Sequence, residues 1–559
     1  MRLVIREYLR MLKESGELDE FLPELLLKMG FILTSKAQKG VRQGGVDIAA
    51  VGKDTTDRET LLLLVVKCGN ITRSNWDNGE NSVRASLNEV RDVYLQTKVL
   101  PAHKEHIKKI VLCTNGDIIQ AVDPHWHGYV TDNTVEGKIE FDFWGLDRLT
   151  SLVETHLLDE SALPDISRSD FRKALALISE PEYDLAHYYK LLDTLLFYNN
   201  EGMSERLDYK TFKQAINTCN LLLTIMFRWA QSENNLRNVL LASERTLLWG
   251  WELIRRKNFT ENKNAITQYV LIYRTYIMIS NSYFNKLQGH FHTRDALSIH
   301  SPEHIFASES VFEHIGIVAL IGLNQITNTS NQQAIMIICE GLANIIANNP
   351  NSSSPCYDRH ANEISLALIF MFYAGQHDNA KNWLSSLCNS LIFCYSRGRN
   401  FPVGSDSFDD TVELTVHGWD GPLAINAKSI STIIAVIAQW CCLFNMTTEY
   451  TAIVTLHRKL QETCVQLWFP DDKTENLIYY KSAQYESGSS LAPITLPDTI
   501  DEYIAEIREL KDVSFISTID DFSASKAGFK FLLMTASRHF QTPIIHLFLH
   551  DLILRTQTK

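Results

Sequence analysis

The eight residues Thr60–Lys67, TLLLLVVK, constrain this chain more than any other stretch. Their aliphatic run is far shorter than the roughly 20 residues that cross a bilayer, and it lacks the alternation of a strand wetted on one face. It therefore predicts a strand buried on both sides, which requires a sheet covered by helices front and back. The flanking sequence supplies the rest of such a layer. Phe21–Met29 carries apolar residues at helical spacing and stops at Gly30, a helix terminator. Phe31–Ser35 reads as a strand, Lys39–Gly45 as a turn and Val46–Val51 as a second strand. After the apolar run, Ser82–Thr97 is an amphipathic helix with Val83, Leu87, Val90, Val93 and Tyr94 on one side. Lys108–Cys113 is another buried strand ending at the turn Asn115-Gly116, Glu140–Trp144 is the last strand, and Leu146–Leu158 closes the region. The expected order is α-β-β-β-α-β, then β-α, in an α/β domain over residues 1–163.

Past Leu163-Pro164-Asp165 the pattern becomes helical: Tyr183–Tyr198, Tyr209–Ser232, Leu236–Arg256, Ala265–Leu287 and Val311–Asn348 all show helical periodicity. Glycine (25) and proline (14) fall below the usual shares, which suits a largely helical chain of 559 residues. Loops are expected at Asn349–Pro355, Ser396–Pro422 and Glu486–Pro497, with helices resuming to Lys526–Arg555. This divides the helical region into a first part, 164–349, and a second part with long loops, 350–559. No repeat near 34 or 40 residues holds its register, although a helical array is the expected form. The most apolar stretches, Ile364–Gly375 and Ile430–Phe444, are too short to cross a membrane and read as buried helices, so no membrane segment is expected. The ten cysteines show no CxxC pair, which points to reduced thiols and a cytoplasmic protein. Within the apolar helix, Cys441-Cys442 reads as core packing.

Charge is uneven. The net charge is −13, yet residues 1–150 hold 20 basic against 22 acidic residues, so the acidity lies mostly in the helical remainder. The α/β region is thus the half better suited to meet a polyanion. It also holds the one constellation with chemical promise. Gly44-Gly45-Val46-Asp47-Ile48 opens one strand and Lys67 ends its neighbour. A carboxylate and a lysine on adjacent strands can converge on one sheet edge, as metal-assisted phosphodiester hydrolysis requires. The Gly-Gly turn is expected to let backbone approach a large polyanion.

These residues resemble the PD-(D/E)xK nuclease superfamily, in particular the Mrr-like restriction endonucleases. The similar stretches are DEFLPELLLKMGF, GGVDIAA and LLLLVVK, then KIVLCTNG and IEFDFWGLDRLTSLV, over about residues 15–160. The resemblance implies a restriction-endonuclease-like fold and a Mg²⁺- or Mn²⁺-dependent endonuclease acting on DNA or RNA. Asp47 would be the metal-binding acid, Lys67 the catalytic lysine, and Asp19 or Glu20 an accessory acid and metal ligand. One departure stands out: the second acid of the motif falls at position 65, which is Val65. Glu80, Glu89 and Asp92 are the nearby acids that could replace it. Most nucleases of this kind cut two strands and pair, so a homo-oligomer is expected. Fusion to a large helical sensor or assembly region, open to a protein trigger, is similar to bacterial anti-phage defence effectors. The alternative is a catalytically inactive nuclease-like scaffold that binds nucleic acid or a protein partner, which Val65 favours.

Other features carry less. Arg73, Arg84 and Arg91, on or near the helix after Lys67, could touch phosphate, and a solvated helix face accounts for them nearly as well. The pair His125 and His127 in a turn lacks further ligands, while His290, His292, His300 and His304 read as surface residues. The aromatics Phe529, Phe531 and Phe540 suit a buried helix better than base stacking. The absence of GxxxxGK[ST], HExxH and GxSxG removes any support for an ATPase, zincin or α/β-hydrolase reading.

Overall fold

The computed structural model describes residues 2–35, 44–54, 56–79, 82–156, 165–197, 209–298, 303–328, 331–397, 402–419, 422–471, 473–480, 489–510 and 518–556. The chain divides into two compact units, Met1–Asn238 and Val239–Lys559. The mixed α/β region is followed by a large helical region, as the sequence predicts, and the first helices beyond it group with the sheet.

The first unit opens with α1 (Arg2–Met11), a π-helical turn at Glu14–Leu18 and α2 (Asp19–Lys28). The five strands are β1 (Ile32–Ser35), β2 (Ile48–Lys53), β3 (Glu59–Lys67), β4 (Ile107–Thr114) and β5 (Ile139–Trp144). They lie in sequence order, with β1–β2 and β2–β3 antiparallel and β3–β4 and β4–β5 parallel. The apolar run is the central strand, and Leu61 to Val66 are all buried. Alternation sends Leu61, Leu63 and Val65 into one core with Ala49, Ile110 and Leu112. That face is covered by α3 (Arg73–Asp77), α4 (Val83–Glu89) and α6 (Asp123–Asn133), through Trp76, Val83, Leu87, Trp126 and Tyr129. Between α4 and α6, the short α5 (Leu95–Thr97) ends the predicted helix after a π turn at Val90–Tyr94. The wider turn keeps Val90 and Tyr94 on the core and leaves Val93 42% exposed, against the stripe predicted from strict helical spacing. The opposite face, with Leu62, Leu64 and Val66, lies under α1, α2 and α7 (Leu146–His156). Each large aliphatic side chain so buried contributes about 1.5–3 kcal/mol.

The turn expected at Asp123–His127 is instead the first turn of α6, because Pro124 sits where a helix tolerates proline. Most of the predicted turn Lys39–Gly45 lies outside the described residues. Gly45 adopts φ +78°, and a Cβ there would meet the Ser86 carbonyl oxygen at 2.3 Å. The glycine therefore lets the chain cross α4 closely and does not leave an open backbone for a substrate, as the sequence had suggested.

Within the second unit, the predicted Val311–Asn348 helix is two, His304–Asn328 and Gln332–Asn348. Asn331 caps the second by accepting from Ala334 N–H at 3.2 Å. The loop Ser396–Pro422 contains a helix, Phe408–His417, with Asp409 and Asp410 in its first turn. His304–Thr327 is long and apolar enough to cross a membrane, against the expectation, and 78% of its most apolar window is buried among its neighbours. Cys441 and Cys442 are core residues. Phe529 packs against Trp251 and Tyr269, with ring centroids 5.4 Å away in both cases, which accounts for the aromatic tail as packing.

Candidate metal centre at the ends of the central strands

The candidate site is assembled by one buried side chain that carries no charge. Asn115, just past β4, accepts from Gly69 N–H at 2.7 Å through Oδ1. Its Nδ2 donates to the Leu9 and Leu12 carbonyls at 3.0 and 2.6 Å. Thr114 Oγ1 donates to Gly69 carbonyl at 2.6 Å, and a Cβ on Gly116 would lie 2.3 Å from the Gly69 carbonyl carbon. These contacts bind the exits of β3 and β4 to the end of α1. The π turn Glu14–Leu18 follows within two residues and so arrives beside the end of β3.

Asp47 lies one residue before β2. Its N–H donates to Leu64 carbonyl at 2.9 Å, and its Oδ2 accepts from Val66 N–H at 2.7 Å. The carboxylate thus satisfies a backbone donor of β3 where β2 has ended. Burial raises the Asp47 carboxyl above the ordinary range, Glu14 and Asp19 push it in the same direction, and Val66 N–H and Lys67 oppose the shift. Three acids and one lysine therefore share one partly desolvated neighbourhood, in which the negative charge of Glu14 and Asp19 works against ionisation of Asp47. A divalent cation with hard oxygen ligands would neutralise that charge. Glu14 was not singled out by sequence reasoning. It belongs to the charged run ESGELDE and was passed over because neither its position nor its spacing from Asp47 marks it.

The predicted residues fall unequally on this site. Asp47, Asp19 and Lys67 come together. Glu20 begins α2 beside Asp19, and its side chain lies outside those described. Val65 is 1% exposed in the core with Trp76 and Leu87, so position 65 is a packing position. Of the acids that could replace it, Asp92 is bound to Arg91 at 2.9 Å, Glu80 lies outside the described residues, and Glu89 sits at the end of α4. Lys67, Glu14 and Asp19 are the charges that act most on Asp47. Arg84 pairs with Asp77 at 3.4 Å and Arg91 is held by Asp92 and Asn133, which leaves Arg73, exposed on α3, as the cation of the three with no ion pair among the described residues. His125 and His127 are exposed on α6, and His127 faces Asp123 at 3.6 Å.

No protein family, curated protein or solved structure matches the chain.

Proposed function

We propose that the first unit is a metal-dependent nuclease domain of the PD-(D/E)xK kind acting on DNA, with the helical remainder serving as a sensor or assembly region. The observation that carries this reading is the convergence of Asp47, Asp19, Glu14 and Lys67 at the ends of the central strands. A mixed five-stranded sheet with helices on both faces is a scaffold compatible with that reading. In this reading Mg²⁺ or Mn²⁺ is held by Asp47 with Asp19 or Glu14, and supplies a Lewis acid for the phosphoryl oxygen. Lys67 orients the attacking water or assists its deprotonation, and its charge offsets negative charge developing on phosphorus. Glu14, in the turn between α1 and α2, and Asp19, which opens α2, take over the duty of the acid missing at position 65. Arg73 offers a phosphate contact six residues beyond Lys67. A homo-oligomer would place two such sites on opposite strands, and a role in anti-phage defence follows by analogy with similar fusions.

The test is cleavage of supercoiled plasmid, single-stranded DNA and RNA with Mg²⁺, Mn²⁺ or EDTA. Lys67→Met is expected to slow metal-dependent cutting by about 10²–10⁴-fold, the range for a positioned proton-transfer group. Glu14→Gln tests the acid that position 65 lacks. Cutting that is unchanged in Lys67→Met, or unaffected by EDTA, would refute this assignment.

A second reading, a nuclease-like scaffold that binds without cutting, is favoured by Val65 in the core and by the structural hydrogen bond of Asp47 to Val66. Retained gel-shift binding with no cleavage in wild type under every metal condition supports it.

A further inference from the structure

A second cluster with metal-binding chemistry lies in the other unit, far from the acids of the sheet in sequence and different in ligand type. Cys356, His360 and Glu309 each offer one ligand atom, and these atoms lie within 4.8 Å of one another. Cys356 and His360 are spaced C-x₃-H, with His360 the first residue of the helix His360–Tyr373, and Glu309 comes from the neighbouring helix His304–Asn328. His360 Nε2 and Glu309 Oε2 are 2.8 Å apart, Cys356 N–H donates to His360 Nδ1 at 3.2 Å, and Cys356 Sγ lies 4.0 Å from Nδ1.

The surroundings hold these groups in place. Val403 N–H donates to the Cys356 carbonyl and Asp358 N–H donates to the Val403 carbonyl, both at 2.9 Å, so the backbone that follows the thiol is clamped on both sides of Tyr357. The His360 ring is stacked on Phe312 at 4.1 Å and meets Tyr357 edge-on at 4.6 Å. Cys356 and His360 are each 1% exposed, whereas the Glu309 side chain is 34% exposed and opens the cluster to solvent.

From this geometry we propose that Cys356, His360 and Glu309 form a site for a borderline-soft divalent metal, of which Zn²⁺ is the natural example. A thiolate, an imidazole and a carboxylate are the donors such an ion prefers, and calcium or magnesium would select oxygen ligands alone. Tetrahedral zinc with bonds of about 2.0–2.3 Å brings its ligands closer together than the limit seen here, so the site contracts on binding. Glu309 Oε2 and His360 Nε2 are already 2.8 Å apart, so the contraction falls on their separation from Cys356 Sγ. Binding releases one proton, the thiol proton of Cys356, as the sulfur becomes a thiolate ligand. Three protein ligands leave the fourth position to water.

The experiment is Co²⁺ titration of the full-length apo protein, with Co²⁺ standing in for zinc, read by its sulfur-to-cobalt absorption and by equilibrium dialysis. Wild type is expected to bind one Co²⁺ with thiolate charge transfer and to release it to added Zn²⁺. Cys356→Ser is expected to lose the charge-transfer band, and Glu309→Gln to bind at least about tenfold more weakly. Because Cys356 is buried, the melting temperature of each apo variant is measured beside the titration, and the exposed Glu309→Gln carries the test if Cys356→Ser unfolds. Asp47→Asn is expected to leave the thiolate-to-cobalt band unchanged. Absence of a thiolate band in wild type, or the same band and affinity in a folded Cys356→Ser or Glu309→Gln, overturns the proposal.

Discussion

Asp47, half-buried in the first unit, and Glu244, Glu252 and Asp358, buried in the second, have surroundings that differ in kind. In the second unit, Glu244, 1% exposed, receives Arg538 Nε at 2.9 Å and His539 Nδ1 at 3.0 Å. Arg245 donates to the other nitrogen of His539 at 2.7 Å, so the imidazole is neutral with its proton on Nδ1. Burial, with Arg245 and Arg538 adding to it, drives the His539 pKa far below the ordinary value, which agrees with that tautomer. Glu252 is gripped by Arg255 and Arg256 at 2.9 and 2.7 Å. Asp358 accepts from Thr432 and Ile433 N–H and from Ser431 Oγ, at 2.6, 3.3 and 3.4 Å. In the first unit, Asp47 has one backbone donor and one nearby lysine against two further acids. Glu244, Glu252 and Asp358 are surrounded by donors. A cluster in which acids outnumber cations is poised for a cation from outside.

The largest effect should come from breaking a compensated site. Arg538→Met leaves Glu244 buried without its guanidinium partner and is expected to cost about 3–5 kcal/mol, read by urea denaturation. A loss below about 1 kcal/mol would mean that Glu244 reaches water and that the contrast between the units is weaker than drawn. Next comes the neutral anchor of the candidate metal centre. Asn115→Leu removes three hydrogen bonds and leaves Gly69 N–H unsatisfied, while the Leu9 carbonyl keeps Leu12 N–H and the Leu12 carbonyl keeps the Cys68 thiol, at about 2–4 kcal/mol in all. It should also weaken Mn²⁺ binding, because the turn carrying Glu14 is tied to the strand ends through that residue. Stability loss with unchanged Mn²⁺ affinity would separate the anchor from the site.

The smallest effect on stability, and the sharpest contrast, is expected at Asp47. Its folded-state pKa is raised, so ionisation opposes folding. That destabilisation begins as pH rises through the ordinary aspartate value near about 4, and it is complete above the raised folded value. Asp47→Asn keeps an oxygen to accept from Val66 N–H and stays neutral. The variant should therefore melt at or above the wild-type temperature at pH 8, with the difference vanishing below about pH 4. A clear drop in melting temperature at pH 8 would make Asp47 a structural acid like Asp358.

The central strand was legible because burial on both faces leaves an unmistakable aliphatic run, and its neighbours followed from Gly30 and the alternating patterns around them. Helix α6 was not, since Asp123-Pro124 reads equally as a turn and the helix meets the core through just Trp126, Tyr129 and Val130 among its described residues. Asp47 and Lys67 were visible because adjacent strands fix where they meet. Glu14 was hidden because its place depends on Asn115, a hundred residues away, holding the end of α1. The role of Gly45 was misread for a similar reason: the obstacle it avoids, the Ser86 carbonyl, belongs to a distant helix. Local pattern reveals elements, and contacts made across the sheet decide which side chains converge.

The most direct test of the account is Mn²⁺ binding followed by electron paramagnetic resonance in Cys356→Ser protein, with and without Asp47→Asn. The account predicts a bound Mn²⁺ in the first that is lost in the second, at equal or higher melting temperature. Equal binding in both, or none in either, would contradict a metal centre at the ends of the central strands.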